Sequence, residues 1–554
     1  MTYYLLPTFQ IFTMKKHYTL LLLMLCSIAL TAQDEEISYL SGNFQNNTNF
    51  FMRDSVIGAS NTPQYDYQFV GSETWLNLYY NRAGFDIGVR FDLYKNSNLP
   101  NPLNSRSFVG IGNAYLRKKV KRLDITVGHI YDQIGSGTIF RAFEERPLAI
   151  DNSLLGGRLI YDIGDNWQIK AFTGQQKGAL DSEANRYPTT YQSIINGASV
   201  DGYWSPSDTS NLSIAPGFGI VNRTLDEQSM QLVRANISAG IPEDRFTPTY
   251  NTLAATFYNT LQYKKFSWFV EASYKTQEAV AVQESSVGYK NTDGTAIYTS
   301  LGYSTKGLGV TLQARRVDFF DWRTTPNETL NRGLITFMAP LSRANTYRLT
   351  ARYNAAPQFL GEQGVLLDVT YSPSRKKSYS LTLNVIDNLD GETLYREGQI
   401  EAMFKGKRSK WKSTSGIQYQ EYNQDLYEQK PGVPNVQSIV PFTEFIYRIN
   451  RKNSFRVEAQ YMFTEQDFGS WAFLLLEYNI SPGWSFSVSD MYNSVPTKGR
   501  EQKHFPTVFV GYNTGPHRFT LAYVKQVEGV VCTGGVCRFE PAFSGVRFSA
   551  TSSF

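Results

Sequence analysis

Gly545-Val546-Arg547-Phe548-Ser549-Ala550-Thr551-Ser552-Ser553-Phe554 ends the chain. Its even positions, Val546, Phe548, Ala550, Ser552 and Phe554, alternate with Gly545, Arg547, Ser549, Thr551 and Ser553. A period of two with one apolar and one polar side is the pattern of a strand with a greasy face and a wet face. On a soluble sheet such a strand would leave a long, flat and sticky edge. The stretch therefore reads as the closing strand of a transmembrane barrel. Phe548 and Phe554 are similar to the C-terminal signal that the bacterial barrel-assembly machinery takes up during biogenesis.

The remaining composition agrees with a barrel. Among 554 residues there are 36 Tyr, 36 Phe and 42 Gly, with 19% charged residues, and the mean hydropathy is -0.34. A helical membrane protein would be far more hydrophobic, whereas barrel strands turn only alternate residues to lipid. The net charge of +5 is too small on this length to indicate a nucleic-acid partner. Residues 1–32 read as an export signal: Met14-Lys15-Lys16-His17 is basic, Tyr18 to Leu30 is a short apolar run, and Thr31-Ala32-Gln33 offers a cleavage point. Met14 is the expected start, with 1–13 an extension that fits no part of a signal. Cys26 follows Leu25, too bulky for a lipoprotein cleavage site. After residue 33 no apolar run approaches the roughly 20 residues of a membrane helix. The expected mature unit is one domain, 33–554, in the outer membrane of a Gram-negative bacterium and surrounded by its lipids.

Alternation recurs along that unit. Phe85, Ile87, Val89, Phe91 and Leu93 alternate with Asp86, Gly88, Arg90, Asp92 and Tyr94. The same pattern returns at Leu123 to Gly128, Phe266 to Lys275 and Phe455 to Phe463. The apolar partners need a dry cover, no helical pattern is at hand to supply it, and lipid remains. This sets Asp86, Arg90, Asp92, Asp124, Glu271, Lys275, Arg456 and Glu458 on a wet inner face. Short turns such as Tyr263-Lys264-Lys265, Ser374-Arg375-Lys376-Lys377 and Lys405-Gly406-Lys407-Arg408 are basic, and belong on the periplasmic side where turns are short. Aromatics flank the turns (Tyr79 and Tyr80, Tyr161 and Trp167, Tyr371 and Tyr379, Tyr478 and Trp484), which predicts an interfacial girdle. The fold class is all-β: a single large antiparallel transmembrane barrel of about 18 to 26 strands, an even number. Ala279 to Lys290 and Gln231 to Gly240 stay open between loop and strand.

The least strand-like segment runs from Gly128 through Tyr131-Asp132-Gln133-Ile134-Gly135-Ser136-Gly137 to Asp151-Asn152-Ser153. A wide lumen is not filled by side chains, so this segment is expected to fold inward as a plug. Arg141, Glu144, Glu145, Arg146 and Asp151 are its candidate residues, either for a selectivity-setting constriction or for a network that merely holds the loop down. The same motifs, Tyr131 to Gly137, Arg141, Glu144-Glu145-Arg146 and Asp151-Asn152, together with Cys532-Thr533-Gly534-Gly535-Val536-Cys537-Arg538, resemble a family of Bacteroidota outer-membrane proteins of unknown function. The resemblance spans the mature chain. It implies a barrel and a location, and no activity or ligand.

Cys532 and Cys537 fall opposite each other if Gly534-Gly535 is a two-residue hairpin turn, which predicts a disulfide in an oxidising outer loop. Neither cysteine has the partners a metal site requires. His129, His504 and His517 lie in no nucleophile or metal spacing, so no catalytic residue, metal or cofactor is expected and the chain is not read as an enzyme. The functional expectation is a channel or porin-like protein for small polar solutes. The alternative is a non-conducting barrel subunit of an outer-membrane secretion, assembly or surface machine, bound to other outer-membrane proteins.

Overall fold

The computed structural model describes residues 39–99, 101–178, 191–207, 209–283, 285–328, 332–533 and 536–554. The export signal expected at 1–32, Cys26 included, lies outside them. One antiparallel sheet of 24 strands closes on itself. Tyr39–Phe51 opens it and Phe543–Ser553 closes it, in register from Asn43 opposite Ser553 to Phe51 opposite Gly545. Phe554 then exchanges backbone bonds of 2.8 and 3.0 Å with Gly42. Its ring lies on Gly42, where any side chain would push it aside.

Alternation works as the sequence implies. In Leu154–Ile163, Leu155, Leu159, Tyr161 and Ile163 are exposed on the outer face. In Phe85–Ser97 the buried residues Arg90 and Asp92 point inward while Phe91 and Leu93 point out. An outer surface so rich in exposed Leu, Ile, Val and aromatics is stable only against hydrocarbon. Exposed Tyr161 and Trp167, Tyr371 and Tyr379, and Tyr478 and Trp484 ring the short-turn end as a girdle. Tyr80 joins the outer face opposite Ile87. Tyr79 differs: it pairs with Gly88, on the face of Asn77 and Arg90, and turns to the lumen.

The two ends of the barrel are unlike. At one end strands are joined by tight turns, such as Ala83-Gly84 between Val70–Arg82 and Phe85–Ser97, and Tyr39 and Phe554 lie there. Ala83 and Gly84 take φ of 53° and 69°, the left-handed pair of a type I′ hairpin that matches strand twist. At the other end the connections are long, among them 52–69, 131–153, 225–250, 319–360 and 527–542. In 225–250 the chain forms the helix Glu227–Ala239, capped by the Asp226 side chain accepting from the Ser229 amide. Its buried Met230, Val233 and Ile237 follow helical spacing, and Val233 and Ile237 pack against Val287 and Tyr289. Thus Gln231 to Gly240 is helix and its C-cap, while within 279–290 Ala279 to Ala281 and Tyr289 to Lys290 are the paired ends of Phe266–Ala281 and Tyr289–Thr305. In the hairpin after the penultimate barrel strand, Cys532 pairs with Cys537 and Thr533 with Val536 in the expected register. The side chains of 530–537 and the Gly534-Gly535 turn lie outside the described residues, and with them the expected disulfide.

Candidate functional site

Two long connections fold into the lumen and meet there. The first, 131–153, is the one its glycines and charges single out. The second, 319–360, sequence reasoning passed over. The Arg141 amide donates to the Ile335 carbonyl at 3.0 Å and the Phe337 amide to the Gly137 carbonyl at 3.0 Å. The Thr336 hydroxyl reaches the Thr138 carbonyl at 2.7 Å, and the Asn152 side chain reaches the Leu334 carbonyl at 3.0 Å. Ile134, Ile139 and Phe140 of the first segment and Phe320, Trp322 and Ile335 of the second share one buried apolar cluster with wall residues. Together they form a composite plug whose apolar core is shared with the wall.

Ion pairs fix the plug to the wall. Arg90, with its side chain 4% exposed, binds Asp92 of its own strand at 2.6 Å, Glu144 at 2.6 Å and Asp151 at 2.7 Å. Asp151 also accepts from Lys177 at 2.6 Å and from the Tyr131 hydroxyl at 2.8 Å. Burial alone would raise the Asp151 pKa, but Lys177 and Arg90 hold it well below the carboxylate range. Arg146 joins through Glu144 at 2.9 Å and donates to Gln45 at 2.8 Å. Arg141 instead lies over the Phe337 ring, 3.8 Å from its centroid, and the Phe143 ring. Glu145 pairs by backbone with Ile150.

The other predicted inner-face charges divide in two groups. Glu271 accepts from the Ser136 amide at 2.9 Å; Lys275 and Arg223, which share Glu278 at 2.5 and 2.7 Å, donate to the Asp321 carbonyl at 3.3 Å and the Arg323 carbonyl at 2.9 Å, so these residues hold the plug. Arg456 gathers Glu444 at 2.8 Å, Glu477 at 3.2 Å and Glu458, on the wall toward the short turns. Asp124 pairs with Arg117, and Asp86 accepts from Asn81. The 319–360 connection has wall anchors of its own, Asn345 to Glu397 at 3.0 Å and Gln460 accepting the Leu349 amide at 2.7 Å, and its Arg352 meets Asp467 of a neighbouring outer connection at 3.4 Å. A signal for it existed. Strand alternation stops at Asp318, and Phe319-Phe320-Asp321-Trp322 and Gly333 to Met338 put apolar residues in a connection far longer than ordinary loops.

Beside the plug, near the seam, a cavity of about 610 Å³ remains. Asn49 of the first strand, Arg547 of the last, Thr507 and Thr520 of the strands before it, and Arg348 of the 319–360 connection line it. Arg348 is enclosed by the barrel yet exposed to this space. Its surroundings push the guanidinium pKa down, first by burial and then through Arg352 and Arg547, although a guanidinium stays charged in proteins.

The sequence profile of the family of unknown function DUF6029 matches residues 14–554, and the chain belongs to that family. No curated protein matches it. Among solved structures it is similar to the siderophore receptor PirA from Pseudomonas aeruginosa, at 10% identity and TM-score 0.41 over 94% of this chain and 81% of that one. It is also similar to the ferric-catecholate import receptor Fiu from E. coli K12, at 9% identity and TM-score 0.40 over 94% and 82%. The P pilus usher PapC translocation pore matches at 9% identity and TM-score 0.36 over 94% and 99%.

Proposed function

We propose that this DUF6029 barrel sits in the outer membrane of a Gram-negative bacterium, by its resemblance one of the Bacteroidota, and is a gated channel for small polar solutes. One observation carries the reading: two connections join across the lumen and are bolted to the wall by charges that an open pore would leave to water. The short-turn end faces the periplasm and the long connections face outward. In this reading the plug is the gate, and the barrel has no catalytic role, metal or cofactor.

The test is single-channel recording in planar bilayers, with folding checked by heat-dependent gel migration. The intact chain should be closed for most of the record. Replacing both 131–153 and 319–360 by short Gly-Ser links should give large steady conductance, and replacing one alone an intermediate level. A doubly shortened barrel that folds, inserts and stays silent would sink the channel reading. It would favour the second reading, a non-conducting subunit of an outer-membrane machine, which the same ion-paired plug also supports. Such a subunit should co-purify in fixed ratio with other outer-membrane proteins.

A further inference from the structure

The cavity beside the plug differs from the rest of the lumen in its charge balance. Several cations elsewhere in the lumen meet carboxylates: Arg90 meets three, Arg456 meets three, and Arg223 and Lys275 share Glu278, while Arg141 lies over aromatic rings instead. Of the charged residues lining the cavity, Lys525 is matched by Asp54 at 2.6 Å and Arg538 by Glu540, while the Glu73 carboxylate accepts from the Ser97 hydroxyl at 2.5 Å and has no cation in ion-pair range among the described residues. Arg348 and Arg547 also lack an ion-pair partner among the described residues, so unpaired cations outnumber the one unpaired carboxylate in the cavity lining. Arg348 has no hydrogen bond or ion pair among the described residues. Arg547 lies over the Phe543 ring at 4.0 Å and reaches Gln526 only at 3.4 Å, with no carboxylate in ion-pair range among the described residues.

Two fixed cations that repel one another inside a protein are costly unless an anion joins them. The fold brings them together from separate parts of the chain, Arg547 from the closing strand and Arg348 from the connection that builds the plug. The walls around them are mixed. Phe473, Phe505, Phe509 and Met491 offer apolar surface, while Asn49 and Thr507 offer hydrogen bonds. Cavities of roughly 300 to 1,000 Å³ with mostly apolar walls and a few convergent polar groups hold small organic ligands, and 610 Å³ falls within that range. A guanidinium presents parallel N–H donors that match the oxygens of a carboxylate.

We propose that this cavity binds a small carboxylate with an apolar body, its oxygens bridging Arg348 and Arg547 and its body against the phenylalanines. This names a solute class for the channel reading, and rests on that reading only for the route by which the ligand arrives. Binding itself needs no conduction.

The test uses the full mature chain in detergent, titrated calorimetrically with benzoate and, as its uncharged counterpart, benzamide. Benzoate should bind with one site per barrel and benzamide should not. Arg348→Gln and Arg547→Gln should each weaken benzoate about tenfold or more, the effect of losing one charge-assisted hydrogen bond. Arg348 is on a connection rather than in the wall, so R348Q carries the test alone if R547Q fails to assemble. Equal benzoate affinity in wild type and R348Q overturns the proposal, as does benzamide binding as well as benzoate. A barrel that binds benzoate as described but never conducts supports the site and refutes the channel, which separates the two failures.

Discussion

Asp151→Asn removes the charge on which the plug's best-defined anchor turns. The carboxylate takes hydrogen bonds from Arg90 at 2.7 Å, Lys177 at 2.6 Å and Tyr131 at 2.8 Å. After the change Arg90 keeps Asp92 and Glu144, but Lys177, its side chain 8% exposed, loses its carboxylate partner and keeps only neutral acceptors, the Gly112 carbonyl at 2.8 Å and the new amide oxygen. Breaking a buried pair by removing one partner costs about 3 to 5 kcal/mol, most of it from the stranded charge. Because Arg90 is compensated, the low end applies, and about 3 kcal/mol is roughly a hundredfold in the undocking equilibrium. Hydrogen exchange by mass spectrometry reads that equilibrium through amides that only the docked plug protects. Ile134, Gly137 and Asn152 should exchange about a hundredfold faster. Arg141 and Phe337 should accelerate with them, because their bonds cross between the two segments. Adding Lys177→Met should restore most of the protection, since it removes the stranded cation. Acceleration confined to residues beside 151, with Phe337 unchanged, would refute the composite plug.

Acid should undock the plug in the same direction. Asp151 has a depressed pKa when docked, so its contribution is complete above the free carboxylate value of about 3.9 and is lost as pH falls from there toward the docked value; conductance that stays the same from roughly pH 5 to roughly pH 2 would contradict this. Maleimide labelling of denatured, unreduced protein should find no free thiol, because Cys532 and Cys537 pair directly across their hairpin; two labelled sites would rule out the bridge. Gly42→Leu should collide with the Phe554 ring at the seam and lower the heat-modifiable fraction severalfold, with partial rescue by Phe554→Ala; normal assembly of G42L would show that the ring has room to move.

The barrel was legible because its code is local. Every residue from Phe85 to Tyr94 or of Asn453–Met462 declares its face by parity, which a bulge breaks only before the inward Ser97, and a strand cannot slip by one residue without putting charge into lipid. The plug segment 131–153 was partly legible, because glycines and clustered charges interrupt parity. Which charges would pair was not. Arg141 sits among the same acidic neighbours as Arg146, yet it stacks on Phe337 because that ring arrives from a segment far along the chain. Connection 319–360 carries its meaning in contacts of long sequence separation, and its Trp322 and Ile335 look like loop residues until the wall around them is known. His504 likewise opens a strand and meets Asp490 at 2.5 Å, a partner set by register rather than by its neighbours Arg500 and Glu501.

Connection 319–360 carries both the plug contacts at Leu334 to Phe337 and the cavity's Arg348, which raises the question of whether a ligand in the cavity would move the gate. Between the two the chain is held to the wall repeatedly: Arg315 donates to the Ala339 carbonyl, Asn384 to the Leu341 carbonyl at 2.5 Å, and Asn345 to Glu397 at 3.0 Å. A ligand shifts an equilibrium only by its difference in affinity for the two states. If those anchors hold in both states, Arg348 sits in the same place whether the plug is docked or not, and the difference is nil. Saturating benzoate should therefore slow hydrogen exchange at Leu349 and Arg352 and leave Arg141 and Phe337 unchanged. Asn345→Ala together with Asn384→Ala should release the intervening chain and let benzoate protection spread to Phe337. Protection at Phe337 in the unaltered chain would show instead that cavity and gate move as one body, with occupancy of the cavity holding the gate shut.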